Sequence, residues 1–247
     1  MKNKLCMLLL ASGIGLFSCA EKDLPKEYTD SVNVFIGTGG HGHTFPGATL
    51  PHGMVQLSPD TRLNGWDACS GYYYDDTSIM GFSHTHLSGT GIGDYGDILF
   101  MPVVGEKPLI AGTAENPDEG YRSRFSHEQE SARPGYYQVL LQDDSIHVEL
   151  TATERCGIQR YTFPKGESAV FLNLKKAMNW DFTNNSYIEV IDSCTIQGYR
   201  FSEGWARDQH VYFRTRFSKP FASVEMDTTA VTLKGKRVGT AYIARFN

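Results

Sequence analysis

Two histidine pairs offer the first chemistry in this chain. His84-Thr85-His86 places two imidazoles at i and i+2, which on a strand share one face and suit chelation. Asp94, Asp97 or His43 would supply a third ligand. The plainer reading is that these histidines hydrogen-bond and hold loops, and it is favoured because no Cys/His quartet or HExxH pattern accompanies them. His41-Gly42-His43 is read the same way, so no metal ligand is assigned. Trp66-Asp67 and Tyr72-Tyr73-Tyr74-Asp75-Asp76 set flat aromatic faces beside carboxylates. A sugar ring presents an apolar C–H face to the first and hydroxyls to the second. Ordinary aromatics around a turn would look the same.

Other patterns fail. Gly89-Thr90-Gly91-Ile92-Gly93 lacks the strand–turn–helix setting of a dinucleotide site. Ser83 and Ser88 lie near histidines, but no Gly-x-Ser-x-Gly elbow frames either. Carboxylates are plentiful, yet spacing singles out no pair that would flank a glycosidic bond.

The elements around these residues divide into two styles. Residues 37–97 are dense in glycine, which implies positive-φ turns and close backbone approaches. Met54–Leu57 and Ile98–Val103 are its strand-like pieces. From Tyr136 the period-two pattern persists: Tyr137–Leu141, a turn at Asp143-Asp144-Ser145, Ile146–Leu150, then Cys156–Phe163. Ala169–Leu174 is apolar almost throughout and fits a central strand. Further strands are expected near Tyr187–Ile191, Thr195–Phe201, His210–Phe217, Ala222–Met226 and Gly239–Arg245. No helical stripe of twelve or more residues occurs. The expected fold is all-β, an antiparallel β-sandwich with long Gly-rich loops.

The N-terminus reads as an address. Lys2 and Lys4 precede an apolar run from Leu5 to Phe17 that is too short and Gly-broken to span a bilayer. Leu16-Phe17-Ser18-Cys19 resembles a bacterial lipoprotein processing box, so residues 1–18 are expected to leave and Cys19 to carry lipid. Residues 19–27 would be the tether and 28–247 the folded domain. That places the protein in the bacterial cell envelope, lipid-anchored at the outer membrane. The chain has 247 residues and net charge −5, and losing Lys2 and Lys4 makes it more acidic. Nucleic acid is therefore excluded as a partner. Cys69, Cys156 and Cys194 would remain, an odd and widely spaced set with no disulfide framework. One disulfide or three buried thiols are the alternatives.

Several long runs carry a family resemblance. They are Asn33-Val34-Phe35-Ile36-Gly37-Thr38-Gly39 and Gly42-His43-Thr44-Phe45-Pro46-Gly47-Ala48-Thr49-Leu50-Pro51-His52-Gly53. Gly81-Phe82-Ser83-His84-Thr85-His86-Leu87-Ser88-Gly89-Thr90-Gly91 and Asp94-Tyr95-Gly96-Asp97-Ile98 follow, then Gly204-Trp205-Ala206 and Lys219-Pro220-Phe221. Together they resemble the N-terminal region of glycoside hydrolase family 92. The resemblance implies a calcium-dependent, inverting exo-α-mannosidase with an N-terminal β-sandwich and a C-terminal (α/α)6 barrel. The barrel would carry the general acid, the general base and most calcium contacts, so no catalytic residue is assigned in this chain. The resemblance implies substrate contacts at Trp66 and Asp67, with His84, His86 and Asp94 at the pocket or at the barrel interface. The implied partners are a mannose-containing glycan, the missing barrel and a membrane through the lipid. The alternatives are a stand-alone carbohydrate-binding sandwich, or a platform on which the barrel docks.

Overall fold

The computed structural model describes residues 27–176, 178–226, 231–233, 236–238 and 241–246. The signal pattern, Cys19 and the tether up to Lys26 lie outside the described residues.

Short extended pieces emerge from the Gly-rich segment: β1 (Ala48–Thr49), β2 (Gln56–Asp60), β3 (Ser78–Ile79), β4 (Gly81–Ser83) and β5 (Leu99–Val104). The middle of the chain gives β6 (Ser123–Arg124), β7 (Glu130–Arg133), β8 (Tyr136–Leu141), β9 (Ile146–Ala152) and β10 (Gly157–Thr162). Then come β11 (Ser168–Asn173), β12 (Phe182–Asp192), β13 (Thr195–Glu203) and β14 (Gln209–Arg216). Last are β15 (Ser223–Met226), β16 (Val231–Leu233), β17 (Lys236–Val238) and β18 (Ala241–Phe246). The helical pieces among the described residues are four short 3-10 turns. The expected all-β, antiparallel architecture is what forms.

A seven-stranded sheet of order β1-β2-β4-β5-β11-β18-β15 runs through the middle, and its pairings are all antiparallel. Residues of one sign of the pleat, including Leu57, Met101, Val103, Ala169 and Phe171, join Tyr137, Val139, Leu141, Val148 and Leu150 in one core. That second group belongs to the four-stranded sheet β10-β9-β8-β7. Residues of the other sign, Phe100, Val170 and Leu172, pack with Ile188 and Ile196 of the sheet β12-β13-β14. The sandwich thus has a third layer. It explains why Ala169–Leu172 is apolar on every residue: β11 is covered on both faces.

Apolar alternation on β8 and β9 places one face inward, in an alternation of buried and mostly half-buried residues along each strand. The turn between them puts Ser145 at φ 51°. The three cysteines are free thiols, but only Cys69 is buried; Cys156 is exposed and Cys194 half-buried. Of the two sequence alternatives, neither the disulfide nor the set of three buried thiols occurs.

Candidate functional site

The ends of β2, β4 and β11 converge on a buried charge frame under the Gly-rich loops. Asp60 closes β2, and its Oδ2 lies 2.7 Å from Lys176 Nζ. Its Oδ1 lies 3.0 Å from His86 Nε2, which also sits 3.1 Å from Ser83 Oγ. Burial alone would raise the Asp60 pKa, but Lys176 and His86 outweigh it and hold the carboxyl below the usual carboxylate range. Burial pulls the Lys176 ammonium down, and Asp60 opposes that pull. A second knot centres on Arg200 of β13, which is fully buried. It pairs with Asp97 Oδ1 and Asp181 Oδ2, each at 2.5 Å. Asp97 Oδ2 also accepts from Thr85 Oγ1 at 2.6 Å and Gln209 Nε2 at 3.0 Å. Burial raises the Asp181 pKa against the pull of Arg200.

The sequence-selected residues fall on both sides of this frame. His84 and His86 do not turn to a shared ligand point. His84 Nδ1–H donates to Ile98 O at 2.8 Å, and its Nε2 lies 3.4 Å from Gln159 Nε2. Burial pushes the His84 pKa down to about 4. His86 Nδ1 lies 2.7 Å from Gln56 O, so its second nitrogen is also used internally. Asp94 is buried and accepts from the backbone N–H groups of Tyr95 (3.0 Å) and Ala206 (2.9 Å). The chelate geometry that one strand face would have given is absent because β4 ends at Ser83, one residue before the pair.

Above the frame, four loop segments adjoin. Asn179 N–H donates to Leu63 O at 2.8 Å, and the Asn179 side chain lies against Gly93. Gly204 lies against Asp181 and Asp94. Trp66 lies flat enough on Gly91 that a Cβ there would run into the indole. Glycine at 91 is thus required by close approach. Trp66, Trp180 and Trp205 sit on these segments with exposures of 63%, 55% and 67%. They are the chain's three tryptophans. An exposed indole loses apolar burial that it could otherwise have, so three on adjoining loops mark a face meant to be covered. The sequence reading selected Trp66 alone. Trp180 and Trp205 carried no spacing signal, although Gly204-Trp205-Ala206 was a resemblance motif.

Asp67 follows Trp66 in a 3-10 turn (Trp66–Ala68) and receives two imidazoles. His41 Nδ1 and His43 Nε2 lie 2.7 and 2.9 Å from the same Oδ1. An ionised carboxylate only accepts, so both nitrogens carry the donated proton. Those two hydrogen bonds lower the Asp67 pKa. Elsewhere, a cavity of about 700 Å³ opens between β10 and β14, lined by Ile158, Tyr161, Val211 and Phe213 with Arg155 and Arg214 among its lining residues.

The Glycosyl hydrolase family 92 N-terminal domain model matches residues 31–246. The chain belongs to glycosyl hydrolase family 92. This family 92 domain is similar to a solved family 92 α-mannosidase from Bacteroides thetaiotaomicron in complex with mannoimidazole, at 39% identity and TM-score 0.83. It covers 89% of this chain and 30% of that one. A solved family 92 inverting mannosidase from the same organism matches at 27% identity and TM-score 0.71, over 90% of this chain and 30% of its own. An uncharacterized secreted glycosidase of Arthroderma benhamiae is 32% identical over 142 residues, 54% of this chain and 17% of its own length. The chain therefore spans less than a third of the proteins it matches.

Calcium is the metal that family 92 implies, and the residues described here do not fit it. Calcium takes six to eight oxygen ligands. The metal-capable cluster among the described residues, His41, His43 and Asp67, offers two nitrogens and one carboxylate. The buried carboxylates of Asp60, Asp97 and Asp181 are committed to Lys176 and Arg200. Among the described residues, no helix is long and apolar enough to cross a membrane.

Proposed function

We propose that this domain is one wall of the sugar pocket in an exported, inverting exo-α-mannosidase that removes terminal α-mannosyl residues from glycans. The observation that carries the reading is the rim of exposed Trp66, Trp180 and Trp205 on adjoining loops above a buried charge frame. Trp66 is the apolar platform and Asp67 the adjacent hydroxyl acceptor. His84, His86 and Asp94 act beneath them as positioning residues, since their polar atoms are spent internally. The general acid and base are assigned to a following helical-barrel domain, as the family resemblance implies; inversion needs two carboxyl groups with room for water between them. The calcium ligands are assigned to that domain too. Residues 1–18 act as the export signal, and lipid on Cys19 holds the enzyme at the envelope through residues 19–27. The secreted description of the fungal relative supports export.

The first test is an aryl α-mannoside assay of the purified 247-residue chain with calcium. No turnover is expected, and reproducible turnover would overturn the placement of catalysis. The second is Trp66→Ala in the full-length enzyme. We expect kcat/KM to fall at least about tenfold with little loss of stability. Unchanged kcat/KM with lowered stability would make Trp66 a docking residue instead. Titration of the isolated chain with α-mannobiose separates the binding-module alternative, which the exposed rim also favours. A half-pocket binds weakly; submillimolar affinity lost in Trp66→Ala would favour the stand-alone module.

A further inference from the structure

We propose that His41, His43 and Asp67 form a binding site for a zinc-type divalent cation that clamps the Gly-rich loop to the Trp66 turn. The three ligand atoms lie within 4.8 Å of one another. A tetrahedral zinc with nitrogen and oxygen ligands needs donor atoms about 3.3 Å apart. The present separations of 2.7 and 2.9 Å from Asp67 Oδ1 require only a small opening of side chains around the ion.

The loop is built to present His43. Its backbone sits at φ 54°, a left-handed conformation costly for a side-chain-bearing residue. Gly42 makes this turn because a Cβ there would strike the Gly37 backbone. The His43 ring is buried and stands edge-on to Trp66, with centroids 5.3 Å apart at 74°. His41 contrasts with it: its side chain is 79% exposed, which leaves an entry path.

The donor set fixes the class of ion. Two imidazoles and one carboxylate, with no thiolate, suit zinc, cobalt or nickel and leave a position for water. Calcium and magnesium are disfavoured because they prefer oxygen. Each imidazole now donates a proton to Asp67 from the nitrogen that would bind metal. Binding therefore moves that proton to the other ring nitrogen or releases it. This inference shares Asp67 with the mannosidase reading but does not depend on it, since that reading assigns calcium elsewhere and zinc uptake is read without any sugar.

The test is calorimetric titration of the chelator-stripped full chain with zinc chloride, with cobalt chloride absorption in parallel. We expect one zinc per chain and a visible cobalt band without thiolate charge transfer. His41→Ala and Asp67→Asn should each weaken zinc at least about 100-fold. His41→Ala should keep its circular dichroism, since that side chain is exposed. His210→Ala, at the exposed His210–Asp208 pair, should change nothing. Zinc should shift tryptophan emission in the wild type, and that shift should vanish in His41→Ala. The inference is overturned if zinc is not taken up, or if both variants bind it within twofold of wild type. It is also overturned if Asp67→Asn abolishes calcium uptake instead of zinc.

Discussion

The buried charge frame and the tryptophan rim lie a few residues apart in sequence yet obey opposite rules. In the frame, Arg200, Asp97 and Asp60 have no exposed surface and each polar group meets a partner of opposite sign. On the rim, Trp66, Trp180 and Trp205 keep more than half their surface open. The frame spends its side chains on shape, and the rim keeps its side chains for contact. The domain thus holds loops rigidly from below so that their tops can stay uncommitted.

The largest effect should come from breaking the frame at its centre. Arg200→Ala leaves two buried carboxylates without a cation, and should cost at least about 3–5 kcal/mol. Loss of soluble, folded protein or a much lower urea midpoint checks it. Next is Lys176→Met, which removes one of two partners of Asp60. Asp60 has a depressed folded-state pKa, so its stabilisation is present above the ordinary carboxylate range and is lost as pH falls through the folded value. The variant should be less stable near neutrality and show a flatter decline in acid, read by unfolding at several pH values.

The frame was illegible in the sequence for a plain reason. Asp97 and Arg200 are 103 residues apart, and no local pattern marks such a pair. His43 and Asp67, 24 residues apart, were equally hidden. By contrast β8 to β10 were readable because burial on one face writes a period of two into six or seven residues, and β11 because burial on both faces writes a continuous apolar run. Pieces such as β1, β3 and β6 have two residues each and cannot display a period. The third layer escaped because alternation shows that a strand has an inner face, not which sheet covers it.

The interface between frame and rim gives smaller, sharper tests. Gly91→Ala should displace Trp66 and cost about 1–3 kcal/mol, with an altered tryptophan emission spectrum. His84 has a folded-state pKa near 4 against an ordinary value of 6.5. Its contribution is therefore full above pH 6.5 and is lost as pH falls towards 4. His84→Gln should remove about 3 kcal/mol of that pH dependence, measured as the difference in unfolding free energy between the ends of the window. The smallest stability effect belongs to the rim itself. Trp66→Ala should change the unfolding free energy by less than about 1 kcal/mol. A loss as large as that of Arg200→Ala would erase the distinction between the two regions.

The position of β18 has a consequence for how the chain reaches this state. It lies between β11 and β15 inside the seven-stranded sheet, although it is the last strand described. Until residues 241–246 arrive, β11 must wait with one row of amide and carbonyl groups unpaired. A nascent chain emerging from the ribosome would thus carry an open seam from the completion of β11 until residues 241–246 are made. In an enzyme exported before it folds, as proposed above, chaperones would have to shield that seam until the last strand takes its place.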